Sequence, residues 1–229
     1  MKKLLKYFTP LEWSLWVGSI TLLIAAFIIF KSTEYTTLIS SLFGVTAILF
    51  SAKGNPIGPA LMVVFCIYYG IISYVMHFYG ETVTYVGMTL PMTVFSLIAW
   101  LRNPYKNQKS VVAVNKISGK EHILMWSLAV IVTVIFYFIL NCLNTANLIV
   151  STVSITTSFI AVYLSLRRSP YFSLGYAAND IVLIILWVSA CFKDTTYISV
   201  VVCFVTFLLN DLYCFISWKR LEKLQNNNL

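Results

Sequence analysis

Residues 177–187 read Ala177-Ala178-Asn179-Asp180-Ile181-Val182-Leu183-Ile184-Ile185-Leu186-Trp187, a carboxamide and a carboxylate side by side in an apolar run. The pattern returns as Leu208-Leu209-Asn210-Asp211-Leu212-Tyr213-Cys214-Phe215-Ile216-Ser217-Trp218, again Asn-Asp, six residues, Trp. An acidic residue at the centre of a membrane helix costs on the order of 2.5–3.5 kcal/mol on insertion scales, so it normally faces protein or a cavity. Both runs therefore read as membrane spans with a polar interior. The rest of the chain agrees: 229 residues, 59% hydrophobic, 10% charged, mean hydropathy +0.84. A soluble domain carries about 25% charged residues, so this chain has too few to cover a water-facing surface. It is an all-α integral membrane protein.

The net charge of +8 does not indicate a nucleic-acid partner, because the basic residues fall in short clusters between apolar runs. Cys66, Cys142, Cys191, Cys203 and Cys214 all lie inside apolar runs without CxxC spacing and read as small hydrophobes. Met1-Lys2-Lys3 leads into an apolar stretch with no small-residue cleavage site after it, so that stretch reads as a retained helix.

A helix crosses a bilayer in about 20 apolar residues. Eight segments qualify: 13–30, 36–52, 57–79, 83–101, 122–141, 147–166, 173–192 and 196–218. Pro56 and Pro59 open the third and Pro170 precedes the seventh, where a missing N–H costs nothing. Pro91 lies mid-span and predicts a kink in the fourth. With both termini cytoplasmic, Lys31 and Lys193 alone fall to the outer loops, and every other basic residue lies inside, as cationic loops should. The long loop 102–121 is then cytoplasmic, its charge mainly a topology signal.

Spans 2–4 and 6–8 resemble each other. Thr37-Leu38-Ile39-Ser40-Ser41 parallels Asn147-Leu148-Ile149-Val150-Ser151, Lys53-Gly54-Asn55-Pro56 parallels Arg167-Arg168-Ser169-Pro170, and Trp100-Leu101-Arg102 parallels Trp218-Lys219-Arg220. The predicted plan is an extra N-terminal helix (1–33), a three-helix repeat (34–104), a basic loop with a linker helix (105–145), a second repeat (146–220) and a tail (221–229). The units start four spans apart, so they are parallel. A parallel repeat implies a substrate route between the halves, with a binding site near the midplane.

Asp180 and Asp211 are the only carboxylates deep in the predicted spans, each seven residues, or about 10 Å, from a cytoplasmic end. Antiparallel helices then set both Asn-Asp pairs at matching depth. Tyr176, Asp180 and Trp187 share one stripe, and Asp211 and Trp218 another, with Asn210, Tyr213 and Ser217 beside it. Aromatics beside a carboxylate suit an aromatic cation, and Asn179 and Asn210 suit hydroxyls or a carboxamide. Interhelical hydrogen bonding is the alternative role, and interfacial anchoring the alternative for Trp100 and Trp218. Pseudosymmetry adds Tyr68 and Tyr69, with Thr89, Met92 and Thr93 near Pro91. His77 and His122 lie at opposite faces, which disfavours a shared metal. There is no P-loop and no Ser/His/Asp arrangement, so an enzyme or an ATP-coupled pump is not expected, and no cofactor is called for.

Trp100-Leu101-Arg102-Asn103-Pro104, Arg167-Arg168-Ser169-Pro170-Tyr171 and Tyr176-Ala177-Ala178-Asn179-Asp180, with the 1 + 3 + 1 + 3 helix plan, resemble the PnuC vitamin transporters over nearly the whole chain. The resemblance implies a SWEET-like fold in the bacterial cytoplasmic membrane and facilitated diffusion of nicotinamide riboside. A cytoplasmic kinase, a metabolic partner only, would trap the substrate by phosphorylation. Relatives that carry thiamine or riboflavin keep another vitamin or nucleoside open, and a homo-oligomer stays open as well. One departure stands out. The nicotinamide riboside group often shows Trp-x-x-Trp-x-x-x-Asn in the penultimate helix. Placing its Asn on Asn179 puts Phe172 and Gly175 where the tryptophans would be. Asn179 carries over as a substrate contact and the tryptophans do not, leaving Tyr176, Trp187 and Tyr213 as the aromatic candidates. A non-transporting membrane subunit is the rival from another class.

Overall fold

Thr9 starts the first helix with a capping box: its hydroxyl accepts from Glu12 N–H at 3.3 Å, while the Glu12 carboxylate accepts from Thr9 N–H at 2.6 Å. Pro10 follows at a position that needs no donor. A computed structural model describes residues 7–30, 35–75, 79–106, 108–145 and 147–227. Within them, eight helices are long and apolar enough to cross a membrane. They are α1 (Pro10–Ile29), α2 (Tyr35–Ala52), α3 (Ile57–Val75), α4 (Tyr79–Arg102), α5 (Gly119–Cys142), α6 (Leu148–Leu166), α7 (Phe172–Cys191) and α8 (Ile198–Asn227). The predicted spans are all present, with boundary shifts of a few residues except at the end of α8, which runs on to Asn227.

Helices α2–α4 and α6–α8 make the bundle, with α2 against α8 and α4 against α6, while α1 and α5 lie outside it and are the least buried. The α2–α3 and α6–α7 turns are built alike. Asn55 N–H reaches Phe50 O and Ser169 N–H reaches Leu164 O, the six-to-one bond of a Schellman end. The residue just before each donor has positive φ, Gly54 at 66° and Arg168 at 57°. The far ends of the two units also exchange equivalent bonds. Trp100 Nε1 donates to Ser165 O at 2.9 Å, and Trp218 Nε1 donates to Ser51 O at 2.7 Å. The two indoles lie 5.2 Å apart, each 0–1% exposed, with the Phe172 ring against both. The interfacial-anchor role is therefore corrected: these tryptophans form a packed plug.

Three further expectations change. Pro91 does not stand inside an uninterrupted α-helix. Residues Val83–Thr89 are π-helical, and Pro91 falls in the first turn of the α-helical segment that follows, where its missing donor is harmless. The loop after α4 is structured, with β1 (Pro104–Tyr105) antiparallel to β2 (Gln108–Val112). It bridges the two turns, since Val112 N–H bonds Gly54 O and Asn115 N–H bonds Arg168 O. Helix α8 continues through Asn227, and Gln225 grips the same loop by donating to Val112 O (3.0 Å) and accepting from Val114 N–H (2.8 Å). Lys53, Arg102, Arg167, Arg168 and Lys219 cluster on this face, called the basic face below. There Glu121 pairs with Arg167 and holds that guanidinium above its ordinary range, while partial burial pulls Arg168 down.

Candidate functional site

Neighbouring residues on a helix point about 100° apart, and this divides each Asn-Asp pair. Asn179 turns to α6, where its carbonyl accepts from Thr157 (2.9 Å), Ser158 (2.9 Å) and Ser154 (3.3 Å). Asp180 turns to α8 and hydrogen-bonds Asp211 carboxyl to carboxyl. Both aspartates are 4% exposed, and Asp180 Oδ2 has no partner. A hydrogen bond between two carboxyls requires at least one of them to keep its proton, so the pair carries at most one negative charge.

Asn210 does not join this layer. Its amide donates to Ser19 on α1 (2.9 Å) and to Thr206 O (2.8 Å), fixing the outer helix to the bundle. Tyr213 is drawn the same way, its hydroxyl donating to Glu12 at 2.9 Å, and Glu12 also pairs with Lys53 at 2.8 Å. Met92 packs with Met88 and Phe159 in a separate apolar cluster. Tyr68 is 37% exposed and stacks on Phe43, while its neighbour Tyr69 points inward. Thr93 stays inside, donating to Thr89 O at 2.7 Å and bonding Cys66. The register that matches Pro56 to Pro170 matches Cys66 to Asp180, and the one that matches Trp100 to Trp218 matches Thr93 to Asp211. The neutral Cys66–Thr93 contact is thus the counterpart of the acidic pair. His77 lies outside the described residues, His122 is exposed at the start of α5, and no metal-binding cluster occurs among the described residues.

Towards the face opposite the basic one, an aromatic layer covers the acidic pair. Trp187 Nε1 donates to Tyr69 Oη at 3.1 Å. The Tyr69 ring lies 4.4 Å from Tyr85 and 5.9 Å from Phe204, and Trp187 lies 5.4 Å from Tyr197. Half-buried Tyr176 stands on the other side, beside Phe172 and near both aspartates. Beyond the aromatic layer a cavity of about 500 Å³ is lined by Glu81, Thr145, Ser151, Leu186, Ala190 and Tyr197, among others. That volume suits a small organic ligand. Asp194 at its rim is held below the usual carboxylate range by the backbone N–H and hydroxyl of Thr196. Neither Asp180 nor Asp211 lines the cavity.

The family model described as nicotinamide mononucleotide transporter matches residues 34–220. The chain belongs to this transporter family. A relative, the nicotinamide riboside transporter PnuC of Neisseria mucosa, is 22% identical over 204 residues, 87% of this chain and 77% of the relative. The crystal structure of the vitamin B3 transporter PnuC matches the fold with a TM-score of 0.82 at 20% identity, covering 95% of this chain and 94% of that one. This PnuC-type chain is a transporter, and not an enzyme.

Geometry explains the missing tryptophans. A Cβ at Gly175 would lie 2.8 Å from the Ala161 backbone, so α6 and α7 cross there too closely for any side chain. Phe172 is taken up by the plug. Sequence reasoning also missed two buried carboxylates. Glu12 (2% exposed) falls just before the predicted first span, and Glu81 (3% exposed) falls between the third and fourth. Asp180 and Asp211 are therefore not alone. The signal for Glu81 was its i, i+4 spacing to Tyr85 on a helix that begins earlier than its apolar run.

Proposed function

We propose that this chain is a facilitator of nicotinamide riboside entry across the bacterial cytoplasmic membrane, with the basic face cytoplasmic and phosphorylation by a separate kinase retaining the product. The observation that carries the reading is the buried, mutually hydrogen-bonded Asp180–Asp211 pair beneath an aromatic layer. With one proton on the pair, it offers one negative charge and π faces to one pyridinium ring. The name of the Neisseria mucosa relative supports the same substrate, while the family description names nicotinamide mononucleotide. Asn179, Thr93 and Tyr176 would meet ribose or carboxamide, with Trp187, Tyr69 and Tyr85 stacking on the ring. Asn210, Tyr213, Met92 and Tyr68 are assigned to packing. The two units, linked by the reciprocal tryptophan bonds, would rock about this layer, the plug closing the basic face while the cavity stands open. Another vitamin or a deoxynucleoside is the second reading, favoured by the absence of tryptophans at 172 and 175.

Facilitated diffusion has a direct test. Proteoliposomes holding the protein should fill with labelled nicotinamide riboside only to the external concentration, at a rate unaltered by a protonophore. Accumulation above that concentration, or arrest by the protonophore, would contradict the proposal and point to ion coupling.

A further inference from the structure

Glu81 is placed where no structural need explains it. It is 3% exposed, its Oε2 has no hydrogen-bond partner, and among the described residues it has no ion-pair partner. A buried carboxylate is normally paired, because leaving water without compensation is expensive. The orphan oxygen belongs to the cavity wall, and so does a second one. Thr145 Oγ1 is also buried without a partner and lines the same space. Gly80 brings the two walls together, since a Cβ there would lie 2.6 Å from Thr145 and 2.9 Å from Leu140. Glu81 also has Tyr69 and Tyr85 of the aromatic layer as electrostatic neighbours, and Leu186 in the wall precedes Trp187 in that layer. The rim holds Lys193 and Asp194, of opposite sign, which leaves Glu81 as the acidic group of the inner wall.

We propose that Glu81, with Thr145 beside it, forms an outer recognition site for an organic cation. The positive ring is received there before it passes Trp187 and Tyr69 to the acidic pair. This rests on the proposed transport of nicotinamide riboside and adds a second, separate contact for the same charge. The ring's charge is neutralised at the mouth by a carboxylate, while its polar substituent finds the Thr145 hydroxyl.

The test compares two substrates of nearly one shape, cationic nicotinamide riboside and its uncharged 1,4-dihydropyridine form, in initial-rate uptake by proteoliposomes. Glu81→Gln should lower kcat/KM for the cation at least about tenfold, the scale of one charge-assisted contact, and leave the neutral form unchanged. The neutral substrate doubles as the folding control. An unaltered cation rate, or equal loss for both substrates in a variant that melts like the wild type, overturns the site. If Glu81→Gln does not fold, Lys193→Glu at the exposed rim decides. It should raise kcat/KM for the cation and not for the neutral form, and equal effects on both overturn the site. Wild-type protein that carries neither substrate would overturn the transport reading as well, whereas a cation rate that survives Glu81→Gln removes this inference alone.

Discussion

Replacing Asp180 and Asp211 together by asparagine is expected to weaken nicotinamide riboside binding roughly 10- to 100-fold, while either replacement alone leaves it near wild type. The difference follows from the shared hydrogen bond. A carboxyl pair with one proton carries one negative charge, and an asparagine beside an aspartate carries the same charge while its N–H replaces the proton. The single variants thus keep both the charge and the bond. The double variant keeps an amide–amide bond of the same shape and loses the charge, and with it a charge-assisted contact of about 1.5–3 kcal/mol. Melting temperatures in detergent should stay close together across all three, because each pair remains satisfied in a site only 4% exposed. Titration calorimetry reads the affinities. Single variants as weak as the double would show that each carboxylate acts separately. A double variant that binds normally would remove the pair from the site.

The second large effect is on folding. Trp218→Ala should destabilise the protein by about 3–5 kcal/mol, the usual range for emptying a buried tryptophan site. Trp218 is fully buried, bonds Ser51 O at 2.7 Å, and has the Phe172 ring at 4.9 Å and Trp100 at 5.2 Å. Helix association in lipid depends on such packing, because water expulsion no longer drives it. Trp218→Phe keeps most of the volume and loses only the indole bond, since Ser51 O still accepts from Gly54 N–H at 2.8 Å, and should cost about 0.5–1.5 kcal/mol. Trp100→Ala should match Trp218→Ala, since Trp100 makes the equivalent bond to Ser165. An interfacial anchor would give a far smaller loss. A Trp218→Ala melting curve that overlays the wild type would therefore contradict the plug.

Hydropathy made the spans legible because length and apolar content are local properties of a chain. The matched turns and Trp-x-Arg ends were legible for the same reason, being short and punctuated by proline and charge. Which way a side chain faces is a different kind of information. Asn210 and Asp211 are adjacent in sequence, yet one bonds α1 and the other α7, and only the placement of α1 against α8 separates them. Tyr68 and Tyr69 divide likewise between the outer surface and the aromatic layer. Met92 lies one residue from Thr93 and packs into another cluster. Glu81 escaped notice because a carboxylate between two apolar runs looks like a loop residue, and only the early, partly π-helical start of α4 carries it inside. The loop after α4 seemed a topology signal until its bonds to Gly54, Arg168 and Gln225 appeared, all of them long-range contacts.

The most direct measurement is a calorimetric titration of the purified protein with nicotinamide riboside, thiamine, riboflavin and uridine. Saturable one-to-one binding of nicotinamide riboside alone, weakened in the Asp180→Asn, Asp211→Asn double variant, is the predicted result. Tight binding of one of the other three, or no binding of nicotinamide riboside, would contradict it.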